Sequence, residues 1–353
     1  MGKKRVEWID TVKFLCMIAV MTEHVEFVTP VWDRLVEPFF LNMFSFAAGY
    51  VYNHRDGFVQ FLKKKINQLF IPWFFFSTLT IVMAHIYSFN SHEILALELG
   101  QNMLQIMYHG SEMWYVAALF IAFLPFYFFI RAYEKSNLPA GKREFVLISI
   151  SFILCALSYF FSHYTRKGLF LWDNSNSPIS LPWHLEYMFQ AMFFMVLGYL
   201  FRVRYEQIFD RINSWKTSFL FCSCYLFVSL LLPELATFSS TVELLLYYPR
   251  CFLGCAAVIS LSKQLPSNCY IRFIGGNTLV YYALHGKVES LIQAVLKHIN
   301  QPEYLEIVWG YHPEAVFYAL AEALFVSILL VPVVILINHW LPFAVGRKRK
   351  KNP

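Results

Sequence analysis

A lysine and a histidine in one predicted helix are the residues of this sequence best spaced for chemistry. Lys13 precedes His24 by eleven positions in an otherwise apolar stretch. At about 100° per residue, those steps place the two side chains on one face, roughly 16 Å apart along the axis. A lysine can bind an anionic group, and an imidazole, with an unperturbed pKa of about 6.5, can take the proton of a hydroxyl. One face of this helix therefore carries a cation near one end and a titratable imidazole near the other.

The composition indicates that this helix lies in a membrane. The chain has 353 residues, of which 58% are hydrophobic, 19% aromatic and only 15% charged. Such a sequence is too apolar for a soluble globular protein. The first apolar segment is long, contains Asp10 and Lys13, and is followed by no small-residue cleavage site. We therefore expect it to stay as the first span rather than to be removed as a signal.

Ten apolar stretches are each long enough to cross a hydrocarbon layer of about 30 Å as a helix. We therefore predict an all-α integral membrane protein with about ten transmembrane helices. Residues 1–345 are expected to form a single polytopic domain, and residues 346–353 a basic cytoplasmic tail. The predicted spans are 10–29, 38–54, 69–88, 113–132, 145–163, 183–201, 216–233, 242–262, 272–296 and 315–340.

The distribution of positive charge predicts the direction of the chain. With the amino terminus inside, the inner segments carry 22 Lys and Arg residues and the outer segments carry four. Short cytoplasmic loops collect such residues, and a miscounted helix would invert every later loop. The split therefore supports ten spans with both termini cytoplasmic. It also accounts for the net charge of +6, so we expect no nucleic-acid partner.

Ionisable residues inside spans mark where chemistry is expected, because each costs a few kcal/mol or more in lipid unless it faces a cavity or a partner. Asp10 and Lys13 fall at the cytoplasmic end of the first span. The others gather toward the outer side. They are His24, Glu26, His184, Glu186, Arg250, His285, Lys287 and Glu289.

One local pattern in the ninth span is suited to orienting an imidazole. His285 and Glu289 are one helical turn apart, and Tyr281 and Tyr282 lie a turn earlier. A structural, hydrogen-bonded histidine is the alternative interpretation. The histidines show none of the local spacings of metal ligands, so we expect no metal site.

The remaining candidates also have structural interpretations. Lys13 lies close enough to the helix start to extend its ammonium to the inner interface. The pair Pro182-Trp183 places His184 and Glu186 near the membrane edge, where both can be interfacial. Arg250 can pair with Glu243 on its own helix.

Beyond these single residues, the sequence resembles the membrane acyltransferase-3 family along nearly its whole length. The matching segments occur in the family's order and fit the layout of ten spans. They are Trp8 to Lys13 with His24 behind them, Phe39 to Tyr50, the basic run Lys63-Lys64-Lys65 before Ile71-Pro72-Trp73, Met113-Trp114-Tyr115, Phe194 to Gly198, and Phe273 to His285.

The resemblance implies transfer of an acyl group, usually acetyl, from cytoplasmic acyl-CoA to a hydroxyl of an envelope sugar. It implies no permanently bound cofactor, since acetyl-CoA acts as a substrate, and a location in the bacterial cytoplasmic membrane. The sequence departs from the family pattern at three places. Lys13 stands where many members have arginine, Ala48 replaces the usual serine before Gly49, and Asn67 and Gln68 dilute the basic run. A lysine keeps the charge of arginine but loses its bidentate contact.

In the family, the histidine that matches His24 is the expected base, and the basic residue that matches Lys13 handles the donor. The donor end is accordingly assigned to Lys13 with Asp10, Lys63, Lys64, Lys65 and Trp114. Glu23 or Glu26 is expected to hold the His24 imidazole, with His285 as a further catalytic group. His24 either takes the hydroxyl proton directly or carries the acyl group itself. Acceptor or oxyanion candidates are His184, Glu186, Arg250, Lys287, Glu289 and Tyr282.

Two other functions fit the same intramembrane charges. A transporter or exporter of polysaccharide or lipid-linked sugar also lines its pathway with such residues. No inverted repeat is visible in the two halves, however, and an exporter has no need for a spacing that matches the pantetheine arm of acyl-CoA. A membrane sensor that responds to pH through its histidines needs no donor at all.

Overall fold

The regular structure of the chain is helical throughout the part that is described. The computed structural model describes residues 5–25, 30–53, 55–87, 113–165, 181–231, 240–299 and 315–347, with residues 100 and 103. Within these ranges there is no strand, which confirms the all-α prediction. The predicted candidate Glu26 lies outside the described residues, and the side chain of Glu243 is likewise outside them.

Each of the ten predicted stretches contains at least one described helix. We number the helices in chain order. They are α1 (Glu7–Glu23), α2 (Pro30–Val36), α3 (Phe40–Tyr50), α4 (Phe58–Lys65), α5 (Ile71–Tyr87), α6 (Trp114–Lys135), α7 (Ala140–Thr165), α8 (Met188–Leu200), α9 (Glu206–Ile212), α10 (Trp215–Leu226), α11 (Ser240–Gln264), α12 (Cys269–Gly276), α13 (Thr278–Ile299) and α14 (Ala315–Trp340).

Within the described ranges, three helical segments are both long and apolar enough to cross a membrane: Phe58–Met83, Trp114–Lys135 and Val316–Trp340. The first is continuous because a π-helical turn, Ile66–Phe70, joins α4 to α5. These segments support a membrane protein. The number of ten spans and the cytoplasmic position of the termini stay predictions.

The chain divides into two compact units. The first comprises Met1–Ala47 and Arg204–Ile335, and the second comprises Ala48–Val203 and Leu336–Pro353. In the first unit, α1 packs against α11, α12 and α13. In the second, α8 packs against α6 and α7.

Helix α1 is the central element of the first unit. A helix that is apolar on one stripe buries only that stripe, whereas one that is buried all round lies inside a bundle. In α1 the residues Cys16 to Thr22 are buried without interruption, and so are Ile9 to Val12. The helix that carries Lys13 is therefore enclosed by protein along most of its length.

Helix α1 ends earlier than the predicted span 10–29. Glu23 is its last helical residue, and His24 caps it through a 3.2 Å hydrogen bond from its backbone N–H to the carbonyl of Met21. Helical geometry thus sets the direction of side chains from Lys13 only as far as Glu23. His24 stands at the very end of the helix rather than within it.

The predicted ninth span is not one helix but two. Helix α12 ends at Gly276, and α13 begins at Thr278. Asn277 closes α12 through its side-chain amide, which donates to the carbonyl of Phe273 at 2.7 Å. The Gly-Gly-Asn sequence explains the break, because glycine is unfavourable within a helix and asparagine is favoured at its ends.

The glycine at this break also allows α12 to approach α1 closely. A Cβ at Gly275 would overlap the backbone of Asp10. The absence of a side chain there brings the backbones of the two helices together, which explains why α12 packs so extensively along α1.

Candidate active site

Two histidines meet in the first unit. The ring centroids of His24 and His285 lie 5.0 Å apart with the planes tilted by 35°. His24 is exposed, whereas the side chain of His285 is only 5% exposed. One imidazole is therefore accessible to a substrate and the other supports it from within the protein.

The helix sets the orientation of His285. Its Nδ1 lies 3.1 Å from the carbonyl oxygen of Tyr281 and 2.9 Å from that of Tyr282. A carbonyl accepts only, so Nδ1 carries the hydrogen and Nε2 carries the lone pair of the neutral ring. Among the described residues, Nε2 has no hydrogen-bond partner. Tyr282 thus contacts His285 twice. Its backbone carbonyl accepts from Nδ1, and its ring stacks on the imidazole with the centroids 6.0 Å apart.

Further polar side chains continue this face of α13. Glu289 is 1% exposed and Gln293 is 9% exposed, one and two turns beyond His285. The two carboxylate oxygens of Glu289 have no hydrogen-bond partner among the described residues, and the same is true of the side-chain Nε2 of Gln293. An unsatisfied buried polar group costs about 1–3 kcal/mol, so three such atoms in one row indicate a binding function.

A second buried carboxylate, Glu322 on α14, lies close to the row formed by His285, Glu289 and Gln293. Glu322 is buried and lies within electrostatic range of Glu289. Neither Glu322 nor Gln293 is among the site residues predicted from the sequence. The signals were present: Gln293 continues the four-residue spacing of His285 and Glu289, and Glu322 is a lone acid in a strongly apolar helix.

At the other end of α1, the charged residues take separate roles. Asp10 is buried and forms an ion pair with Arg5, a residue that sequence analysis did not single out. Arg5 also donates to the carbonyl of Arg272 at 2.7 Å, and Arg272 pairs with Glu7 at 3.3 Å. Asp10 therefore joins α1 to α12 through Arg5, and its contact with the donor stays a prediction.

Lys13 remains uncommitted. It is half-buried, and Asp10 and Arg5 are the charged groups that act on it. Within the described part of the chain its ammonium makes no hydrogen bond or ion pair. A partly buried lysine with free donors is suited to an anionic ligand.

The other predicted donor residues lie in the second unit and are largely engaged. Lys64 pairs with Asp56 at 2.6 Å. The ammonium of Lys65 lies 3.4 Å from the ring centroid of Phe123, a cation–π contact. Lys63 is exposed. The basic run therefore keeps its positive charge but offers fewer free donors than its sequence predicts.

A second histidine group is also found in the second unit. His184 Nδ1 lies 2.8 Å from Glu186, whose other carboxylate oxygen accepts from the backbone N–H of Leu181 at 3.1 Å. The ring of Trp114 lies 4.7 Å from that of His184. Trp114, predicted on the donor side, thus contacts an acceptor candidate.

The backbone is left-handed at His184 and at the residue before it, Trp183. Trp183 has φ 54° and His184 has φ 52°, a conformation that costs bulky residues about 1–3 kcal/mol each. The short 3-10 segment Pro182–Tyr187 that contains them leads into α8. The predicted sixth span, 183–201, therefore starts with an irregular turn that aims His184 at Trp114.

The remaining candidates are placed as follows. Arg250 is half-buried on α11, and its Nε has no hydrogen-bond partner among the described residues. Lys287 is exposed on α13, and Glu23 is half-buried at the end of α1. No group of three His, Cys, Asp or Glu side chains in the described ranges is placed to hold a metal ion.

Comparison with known protein families gives a match over most of the chain. The family model described as an acyltransferase domain matches residues 6–339, which is nearly the whole chain and includes every described residue of the His24–His285 site. No curated protein and no solved structure matches the chain significantly.

Proposed function

The chain belongs to the acyltransferase-3 family, and from that membership we propose that it transfers an acyl group, acetyl above all, from cytoplasmic acyl-CoA to a hydroxyl of an envelope saccharide or lipid-linked sugar. The proposed location is the bacterial cytoplasmic membrane. The observation that carries the proposal is the contact between exposed His24 and buried His285 at the end of the enclosed helix α1.

His24 is the proposed general base. Its imidazole takes the proton of the acceptor hydroxyl while the oxygen attacks the thioester carbonyl carbon. A C–O ester bond forms, the C–S bond breaks, and the proton passes from the imidazole to the leaving thiolate. Donor and acceptor enter, and ester and free thiol leave, so no other reactant is needed.

His285 is proposed as the group that positions His24. Its Nδ1–H is held by the carbonyls of Tyr281 and Tyr282, so its orientation is fixed by the helix. The Nε2 lone pair is then available to accept a hydrogen bond from the His24 ring or from the hydroxyl. Either hydrogen bond would orient the His24 imidazole toward the acceptor hydroxyl before the reaction.

Lys13 is proposed to bind the donor. Acyl-CoA carries phosphates that cannot enter lipid and a thin pantetheine arm that can pass between helices. Helix α1 separates Lys13 from His24 by roughly 16 Å, which suits that arm. The half-buried, uncommitted ammonium would hold the phosphate end of the donor.

Glu289 is proposed to bind the acceptor. A saccharide presents several hydroxyl donors, and the two carboxylate oxygens of Glu289 are buried acceptors with no hydrogen-bond partner in the described part of the chain. Binding a hydroxyl there would satisfy them. The side-chain N–H of Gln293 would donate to a ring or hydroxyl oxygen of the same sugar.

The test uses membranes that contain the protein or its His24→Ala variant. They are given acetyl-CoA labelled in the acyl group, and label on envelope glycan is followed. We expect the transfer rate of the variant to be lower by a factor of at least about 100. The matched control is His298→Ala, since His298 is exposed on α13 away from the site and should leave transfer unchanged. Equal labelling by wild type and His24→Ala would refute the role of His24.

A second measurement separates direct transfer from an acyl-histidine relay. Purified protein is mixed with labelled acetyl-CoA without acceptor, quenched and digested. Label on the peptide that contains His24, absent from His24→Ala, would establish the relay. No label on that peptide, with normal transfer once acceptor is added, would establish direct attack.

A further inference from the structure

A groove between α6 and α7 in the second unit shares no residue with either histidine group. It has a volume of about 440 Å³ and is lined mainly by apolar side chains. Sites of this size enclose small ligands or part of an acyl chain. Its lining includes Phe128, Phe129, Val146, Leu147 and Ile150.

Two polar side chains in the lining have unsatisfied atoms. Tyr133 is 4% exposed, and its hydroxyl has no hydrogen-bond partner among the described residues. The Nε of Arg143 is buried and likewise has no partner there. The Arg143 guanidinium lies 4.4 Å from the Tyr133 ring centroid, so the two groups are adjacent. Their donors are suited to a ligand that carries an anionic oxygen.

The charges around these two residues favour an anion. Lys135 is the last residue of α6 and Lys142 lies in the first turn of α7, and both are exposed. Of the nearby acids, Glu134 is bound by the hydroxyl of Tyr199, and Glu144, next to Arg143 in the chain, is half-buried. In the predicted topology this connection faces the cytoplasm, where the inner leaflet is rich in anionic lipid.

We propose that this groove binds one anionic phospholipid, with an acyl chain along the apolar lining and the phosphate on Arg143 and Tyr133. The apolar residues Phe128, Val146 and Ile150 are partly exposed, so a chain can enter from the bilayer side. A basic pocket between membrane helices at the cytoplasmic side is the arrangement that holds anionic headgroups. The site is independent of the proposed acyl transfer.

The test is native mass spectrometry of the purified full chain released from vesicles of phosphatidylglycerol or of phosphatidylcholine. We expect retained phosphatidylglycerol and little phosphatidylcholine. Arg143→Gln should lower phosphatidylglycerol retention at least about fivefold. Lys216→Gln is the matched control, because it also removes one exposed positive charge and Lys216 does not line the groove.

A second variant covers the case in which Arg143→Gln fails to fold. Val146→Trp fills the apolar part of the groove from a partly exposed position and keeps Arg143, and it should also lower retention. Equal retention of the two lipids, or equal loss in Arg143→Gln and Lys216→Gln, would overturn the proposal. So would displacement of the lipid by acetyl-CoA, which would assign the groove to the donor.

Discussion

The ring centroid of His24, close to the start of the chain, lies 5.0 Å from that of His285 on the distant helix α13. The exposed ring stands at the end of α1, and the buried ring is held by two backbone carbonyls of α13. This contact joins a candidate base to a neighbour whose orientation is fixed. It makes His285 the first residue to test after His24.

His285→Phe is expected to lower kcat by about 10- to 100-fold without changing the KM for acetyl-CoA. Phenylalanine fills the space but removes the Nε2 acceptor that has no other partner in the described part of the chain. His285→Gln returns an oxygen acceptor and should recover part of the rate. Steady-state kinetics with labelled acetyl-CoA measures both constants. A purely structural histidine would instead give two equally inactive, destabilised variants.

Lys13→Met is expected to raise the KM for acetyl-CoA by about 10-fold or more, because a charge-assisted contact to the donor phosphate is lost. Lys13→Arg keeps the charge and should stay within a few-fold of wild type. The control is Lys142→Met, an exposed lysine at the start of α7. A fall in kcat at constant KM, or equal damage by Lys13→Arg, would contradict donor binding by Lys13.

Gly275→Ala is expected to lower the free energy of unfolding by about 1–3 kcal/mol, because its Cβ would push against the backbone of Asp10. Gly286→Ala is the matched control. Its Cβ would meet nothing within 4 Å, so the gain in helix propensity should hold or slightly raise stability. Thermal unfolding in detergent compares the two. Equal melting temperatures would show that α1 and α12 do not depend on their close approach.

Glu289→Leu is expected to hold or raise the unfolding temperature while lowering acyl transfer to glycan. The carboxylate is buried without a hydrogen-bond partner in the described part of the chain, so removing it relieves a cost. Glu186→Leu is the contrasting variant. Glu186 is buried with His184 and the Leu181 N–H as partners, and its loss should destabilise by about 1–3 kcal/mol. Destabilisation by Glu289→Leu at unchanged transfer would assign Glu289 a structural role.

The acceptor assignment has an experiment of its own. In the same Glu289→Leu membranes, one counts both the label transferred to glycan and the labelled acetate that hydrolysis of acetyl-CoA releases. If Glu289 binds the acceptor, transfer to glycan falls while hydrolysis of acetyl-CoA by water persists. Loss of both reactions would place Glu289 with the catalytic groups instead.

Several features were predictable from the sequence because they depend on neighbouring residues. Apolar runs predicted the helices, and the order of short motifs indicated the family, which the match over residues 6–339 confirms. The one-turn spacing of His285 and Glu289 identified two members of the buried row, and the same spacing extends to Gln293. Local periodicity decides such features, since the residues concerned lie on one helix.

Only the tertiary structure decided which distant residues meet. It brought His285 to His24, committed Asp10 to Arg5, and occupied Lys64 and Lys65 with partners. It also divided the predicted ninth span at Asn277, where glycine lets α12 approach α1. The physical reason is that helix packing depends on how whole surfaces fit together. The sequence by itself determined the helix that carries Lys13, and packing determined that His285 meets His24 where that helix ends.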